Sequence, residues 1–421
     1  MTQVQDADAA AREAALGEPT KNVNWKFLVA ITLANIGVMI VAMTPLQNLL
    51  ARYSEEMAGA DNKITALMWL TAFGSVASMV FNPLSGALSD RTTSKFGRRR
   101  PWIIGSALVT AVLMYVMSMQ TTLIGLGIVW FLALAGVNSA FSPLTAYVPD
   151  QVPIRQRGMV SGLVGISTVL GIVVGVAFVA VVVPDLRMGT WVIGIVMLLF
   201  LIPIAFAVPD AVLPKSAVPP FNWGKFFSGF WISPRKYPDF AWAFITRFLV
   251  WVGTALVMTY LFYYLQDELH YAEPLTGQAM LIGLYGLGLL MTAIVGGRIS
   301  DRLNKRKIFV MISSVVMGVS VLILAVFPSF IAACIGAWLL GLGYGVYLAV
   351  DQALITQVLP AATDRARDLG VINIANTAPQ ILAPFLGGPI VLALGYSGLF
   401  ITTCIVMVLA GILVNFIKSV P

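Results

Sequence analysis

Long apolar runs recur along this chain, separated by short clusters of charge, proline and glycine, and they lack the strict polar–apolar alternation of surface strands. A helix needs about 20 apolar residues to cross the hydrocarbon core of a bilayer. The runs fall at 25–50, 64–88, 102–120, 123–147, 159–183 and 189–208. After a proline-rich polar stretch they resume at 239–266, 275–299, 308–327, 330–357, 369–393 and 396–417. The pattern predicts an all-α membrane protein with twelve transmembrane helices. A membrane barrel would show short alternating segments instead. Residues 1–24, rich in Ala, Asp and Glu, form a polar tail. The first run is too long and too far along the chain for a cleaved signal peptide, so it reads as a retained helix.

Composition agrees. Of 421 residues, 59% are hydrophobic and 11% charged, against roughly 25% charged in soluble domains. Soluble, disordered and disulfide-scaffold classes are excluded. The net charge of +7 points to topology and not to nucleic acid, because cytoplasmic loops of membrane proteins are rich in Lys and Arg. With the N-terminus placed inside, all but four of the 26 Lys and Arg residues fall on the inner side. The exceptions are Arg52, Lys63 and Arg187 in outer loops and Arg247 within a span. Both termini are therefore expected in the cytoplasm, and the chain in the cell (plasma) membrane. Cys334 and Cys404 lie in apolar runs and read as small core residues, and His270 is the single histidine. No metal cluster, cofactor motif, nucleophile–base constellation or phosphate-binding loop is visible, so the chain is expected to be neither an enzyme nor driven by ATP.

The two halves echo each other. Gly86-Ala-Leu-Ser-Asp90-Arg91, at the inner end of helix 2, recurs as Gly297-Arg-Ile-Ser-Asp301-Arg302 at the inner end of helix 8. Val152-Pro153 with Arg155-Gln-Arg157-Gly158 recurs as Leu359-Pro360 with Arg365-Ala-Arg367-Asp368. Both copies face the same side, which makes a parallel pseudo-repeat of two six-helix bundles, at 25–208 and 239–418. Residues 209–238 form a cytoplasmic linker between them.

The helix 2–3 loop reads Gly86-Ala-Leu-Ser-Asp90-Arg91-Thr-Thr-Ser-Lys95-Phe96-Gly97-Arg98-Arg99-Arg100-Pro101-Trp102. It resembles the G-x-x-x-D-R-x-G-R-R signature of the major facilitator superfamily, with four extra residues before Gly97. The longer loop resembles the sucrose and disaccharide proton symporters and the glycoside–pentoside–hexuronide carriers. Thr44-Pro45-Leu46-Gln47 is loosely similar to the L-T-P-Y-V-Q run of plant sucrose carriers. The resemblance implies the major facilitator fold and transport by alternating access. It also implies a conformational latch at Gly86, Asp90, Arg91, Gly97 and Arg98, echoed at Asp301 and Arg302. There Asp90 accepts charge-assisted hydrogen bonds from Arg91 or Arg98. The alternative is that these arginines only set topology. In the second copy Asn304 replaces the glycine.

Helices 3, 6 and 12 are nearly free of polar side chains, as lipid-facing helices should be. Polar residues concentrate elsewhere: Asn35, Ser75, Ser78, Asn82, Asn138 and Ser142 in the first half, Thr246, Arg247, Asp351, Asn373, Asn376 and Gln380 in the second. An unsatisfied amide in lipid is costly, so this partition predicts a polar cavity between the halves. Arg247 and Asp351 lie at matching depths in helices 7 and 10, and a lone charge in the bilayer needs a partner. They are expected to meet, with Asp351 carrying a coupling proton; a permanent structural ion pair is the alternative. Asp150 is a further coupling candidate, or a helix cap. Asp267 and Glu268, at the outer mouth of helix 7, are expected to be solvated.

Sugar hydroxyls are bound by amides and carboxylates, and apolar sugar faces by aromatic rings. The substrate candidates are Asn35, Asn138, Asn373, Asn376 and Gln380 with Trp251, Tyr344 and Tyr347; Trp69 and Tyr260 are further aromatics. Tyr344, Tyr347 and Asp351 share one helix face. The expected function is proton symport of a disaccharide or glycoside by a monomer whose partners are that solute, protons and lipid. A facilitator or proton-coupled exporter of another organic solute is the alternative, although helix 5 lacks the Gly-Pro of antiporters.

Overall fold

A computed structural model describes residues 19–208, 210, 212, 235–303, 305–358 and 365–418, without the side chains of a few helical residues, Asp301, Arg302 and Asn373 among them. The described elements are helical. They are α1 (Trp25–Thr44), α2 (Leu50–Ser89), α3 (Arg100–Ser118), α4 (Leu123–Gln151), α5 (Ile154–Ala177) and α6 (Leu186–Ala207). The second half holds α7 (Pro238–Tyr263), α8 (Pro274–Leu303), α9 (Arg306–Val326), α10 (Phe330–Val358) and α11 (Arg365–Leu413). Side chains at several starts act as the pattern of orphan N–H groups requires. Asn24, Thr122 and Asp185 accept from the amides of Phe27, Gly125 and Met188.

Among the described residues, ten helical runs are long and apolar enough to cross a membrane. Two of these are compound. A π-helical turn, Pro45–Leu49, joins α1 to α2, and one non-helical residue, Gly59 (φ 75°), interrupts that run. Gly395 (φ 68°) interrupts α11 in the same way. Each break lies where the apolar pattern predicts the turn between two spans.

The chain divides into two compact units. Unit 1 comprises Met1–Pro45 and Val76–Phe221, and unit 2 comprises Leu46–Ser75 and Asn222–Pro421. In unit 1, α1 packs on α5 and α6, and α3 on α4 and α6. In unit 2, α7 packs on α11, and α9 on α10 and α11. In the most hydrophobic stretches of α3 and α6 only 33% of the residues are buried, against 61% in α4 and 67% in the run containing α7. Their outward positions are large and apolar: Phe206 of α6 is 86% exposed and Val112 of α3 56%. A surface that apolar is stable against hydrocarbon and not against water.

Helix contacts in unit 2 depend on small residues. A Cβ on Gly341 would stand 2.1 Å from the backbone oxygen of Tyr285. Only glycine lets α8 and α10 approach this closely, as expected where van der Waals packing replaces the hydrophobic effect. Pro384 removes the amide that the Gln380 carbonyl would otherwise accept from one turn on. The Ser75 hydroxyl donates to that carbonyl instead, at 3.1 Å.

Candidate functional site

Arg247 lies ten residues into α7 and Asp351 eight residues from the end of α10, and the two meet. Arg247 Nη1 is 2.8 Å from Asp351 Oδ2, with the residues only 5% and 3% exposed. Arg247 Nε donates to Asn376 Oδ1 at 2.6 Å, so the guanidinium ties α7, α10 and α11 together. A planar fork suits this geometry, since a carboxylate and an amide bind separate edges of it.

Aromatic rings surround the pair. Trp251, one turn beyond Arg247, meets Tyr344 edge-on at 6.1 Å. Tyr344 stacks on Tyr347, with centroids 6.0 Å apart. On its other side is Tyr285 of α8, also at 6.0 Å, held there by the Gly341 contact. The Tyr347 hydroxyl lies beside Asp351 without completing a well-aligned hydrogen bond. The Trp251 ring nitrogen is buried and unpartnered among the described residues. Unit 2 therefore holds a charged pair, an amide and four aromatic rings in one cluster.

A second cluster occupies the end of unit 1 where α2 stops. Its hub is Arg99, which pairs with Asp90, donates from Nη1 to Ser89 Oγ at 2.6 Å and from Nε to Asp150 Oδ2 at 3.1 Å. Arg98 reaches the same Asp150 oxygen at 2.7 Å. The described partner of Asp90 is thus Arg99, where the signature suggested Arg91 or Arg98. Arg91 has interactions of its own. Asp210 closes the cluster: its Oδ2 accepts from the backbone amides of Arg99 and Arg100 at 2.8 and 2.7 Å, capping α3 from more than a hundred residues away. Gly97 has φ 99°, and a Cβ there would lie 2.3 Å from the Asp210 carboxyl. Each of these contacts falls within unit 1.

Residues 26–283 and 274–421 match the family model of the Major Facilitator Superfamily, which is nearly the whole chain. This protein belongs to the major facilitator superfamily. It is therefore a multi-pass membrane transporter and not an enzyme. Solved structures agree on the fold. A peptide transporter POT bound to sulfate superposes with a TM-score of 0.75 at 14% identity, over 96% of this chain and 97% of that one. The nucleoside transporter NupG gives 0.74 at 12% identity, over 94% and 100%. Curated relatives match over short stretches. Sucrose transport protein SUT1 of Oryza sativa subsp. japonica is 46% identical over 57 residues, which is 14% of this chain and 10% of that protein. Sucrose transport protein SUC4 of Arabidopsis thaliana is 31% identical over 94 residues, 22% of this chain and 18% of that one.

The remaining residues expected to serve this transporter are distributed as follows. Asn138 is saturated: its Nδ2 donates to Ser78 Oγ and to the Leu134 carbonyl, both at 2.8 Å, and its Oδ1 accepts from Asn82 at 3.2 Å. Asn35, 1% exposed, donates to the Ile31 carbonyl at 2.8 Å and leaves Oδ1 unpartnered among the described residues. Gly86 packs against Ser142, whose Oγ would lie 2.6 Å from an added Cβ. Gln380 contributes its backbone carbonyl to Ser75, as above. Tyr260 donates to the Pro384 carbonyl at 2.9 Å, and Trp69 meets Phe385 edge-on at 5.1 Å. Asp150 belongs to the arginine cluster and is separate from the Arg247 pair. The side chains of Asp301, Arg302 and Asn373 lie outside the described residues.

Two expectations about the opposite end of the membrane are corrected. Asp267 is not left to solvent: Lys63 and Tyr396 bind it at 2.6 and 2.8 Å. Lys63 is no loop residue, because it sits inside α2 and is 5% exposed. Sequence reasoning also passed over Arg99, Asp210, Tyr285 and Lys63. Of these only Arg99 carried a signal, its place in the arginine run.

The Gly97–Asp210 contact has a direct test. Gly97→Ala pays for a left-handed alanine and expels Asp210 from the α3 amides, so it is expected to destabilise the detergent-solubilised protein by about 1–3 kcal/mol. Thermal unfolding reports this. Adding Asp210→Ala to Gly97→Ala should cost little more, since the cap is already gone; full additivity would refute the account.

Proposed function

We propose that this transporter moves a sugar of the disaccharide or glycoside class by alternating access, coupled to protons through Asp351. The buried Arg247–Asp351 pair within an aromatic cluster carries the reading. A protonated Asp351 no longer attracts the guanidinium, so Arg247, still bonded to Asn376 through Nε, turns its freed Nη1 to the solute. Return of the proton to water restores the pair and releases the solute. Trp251, Tyr344 and Tyr347 offer faces to the apolar side of a sugar ring, and Asn376, Gln380 and Asn373 offer amides to its hydroxyls. The short matches to sucrose transport proteins support a sugar over other solutes.

In this reading the breaks at Gly59 and Gly395 are inter-span turns, which makes twelve spans arranged as bundles at 25–208 and 239–418. Both termini face the cytoplasm of a cell membrane, and a monomer suffices. The Gly86–Asp90–Arg91–Gly97–Arg98 region, with Arg99 as its hub, is the conformational latch, with Asp301 and Arg302 as its echo. Asp150 serves it through Arg98 and Arg99.

Proteoliposome uptake tests the function. A panel of labelled mono- and disaccharides is offered with and without an imposed pH gradient. Accumulation of a disaccharide or glycoside that collapses with a protonophore is the expected result. If no sugar in the panel accumulates under either gradient sign, the reading is wrong.

A further inference from the structure

The face of α10 that carries Asp351, Tyr347 and Tyr344 continues, in steps of three and four residues, through Leu340 and Ala337 to Ala333. On α7 the face of Arg247 and Trp251 continues in the same way to Met258. Beyond the aromatic rings these two continuations do not close on each other. They leave a cavity among α7, α8, α9 and α10, to which α9 contributes Ser320 and Val321. Tyr285 of α8 belongs to both places. It lines the cavity, and its ring stands 6.0 Å from that of Tyr344, inclined by 36°.

The cavity has little with which to hold water. A buried water needs about two to four polar partners. Apart from Tyr285, the only side-chain polar group in this wall is the Ser320 hydroxyl, which already donates to the Met317 carbonyl at 2.6 Å. A dry space costs its lining the dispersion contacts it lacks, and one larger side chain at Ala333 or Ala337 would fill it.

Tyr285 is fixed at its backbone and free at its ring. A Cβ on Gly341 would stand 2.1 Å from the Tyr285 carbonyl oxygen and 2.9 Å from its Cα, so α8 has no room to shift there. The hydroxyls of Tyr260 and Tyr264 are tied to the Pro384 and Leu324 carbonyls at 2.9 and 3.1 Å. The Tyr285 hydroxyl makes no hydrogen bond among the described residues. In a close-packed interior a ring changes rotamer only where there is space, and here the space adjoins the ring.

We propose that Tyr285 determines the length of solute that the transporter accepts. With its ring against Tyr344, the aromatic cluster fits one sugar ring; with the ring turned back into the cavity, it admits a second. This rests on the sugar reading above, but the movement of the ring is tested without solute. In detergent-solubilised protein labelled with fluorotyrosine, the fluorine NMR resonance lost in Tyr285→Phe belongs to Tyr285. Exchange between two ring positions is expected in the parent, as a split or broadened resonance. A single sharp resonance is expected in Ala337→Leu, whose side chain occupies the cavity. Val321→Leu fills the same space from α9 and carries the comparison if Ala337→Leu fails to fold.

Uptake into proteoliposomes then reads the length. Ala337→Leu is expected to lower kcat/KM for a disaccharide about tenfold relative to its constituent monosaccharide, and adding Tyr285→Ala to restore the ratio. An equally sharp Tyr285 resonance in the parent and the filled variant would overturn the proposal. So would a ratio that Ala337→Leu leaves unchanged. If no sugar is transported, the sugar reading fails and the length assignment with it, while the resonance still separates a movable Tyr285 from a fixed one.

Discussion

Replacing Arg247 with leucine is expected to cost more stability than replacing Arg247 and Asp351 together. The pair is closed, with a 2.8 Å contact between side chains that are 6% and 4% exposed. Arg247→Leu leaves a carboxylate with neither water nor cation, and also strips Asn376 of its guanidinium bond. Removing one partner of a buried ion pair typically costs about 3–5 kcal/mol, whereas replacing both by neutral groups is often close to neutral. Thermal unfolding of the solubilised single and double variants reads the difference directly. The double variant Arg247→Leu/Asp351→Asn should recover much of the loss, and a double-mutant cycle gives the coupling. Equal damage in the single and double variants would mean that the contact contributes little.

The second large effect is functional. Asp351→Asn keeps the volume of the side chain and one oxygen able to accept from Arg247, but it cannot carry a proton. If Asp351 is the coupling group, the variant exchanges labelled for unlabelled solute across the membrane yet builds no gradient, so its accumulation ratio falls to about one. Counterflow and net uptake, measured in the same proteoliposomes, separate the two steps. Normal accumulation by Asp351→Asn would remove it from the coupling path and leave a structural ion pair. The Arg247→Leu comparison is independent of that outcome, because stability registers the pairing whether or not a proton moves.

Much of the architecture was legible before any coordinates. The spans follow from hydropathy, which is a sum over about 20 residues and tolerates local error. Apart from α2, which begins at Leu50 and not at 64, the helices start close to where the apolar pattern places them, and Gly59 and Gly395 stand where it turns. The meeting of Arg247 and Asp351 was also legible, for a physical reason: two opposite charges at one depth in a bilayer have few alternatives. Around the arginine cluster the same reasoning failed in detail. Three consecutive arginines near two aspartates allow many pairings of similar energy, and long side chains reach them all. Packing selected Arg99 for Asp90 and brought in Asp210 from beyond α6. Lys63 and Asp267 were misread because each stands near a predicted turn, where solvent is the default partner.

The chain by itself thus determined the membrane-spanning class and the presence of a few charges too costly to stand alone in lipid. Those are properties of composition and of windows along the sequence. Only the tertiary structure decided which groups touch: Arg247 finds Asp351 across 104 residues, Asp210 caps the Arg99 amide across 111, and Lys63 reaches Asp267 across 204. A hydrogen bond forms or fails within a few tenths of an ångström, and that margin is set by how helices distant in sequence pack, to which no local pattern is sensitive.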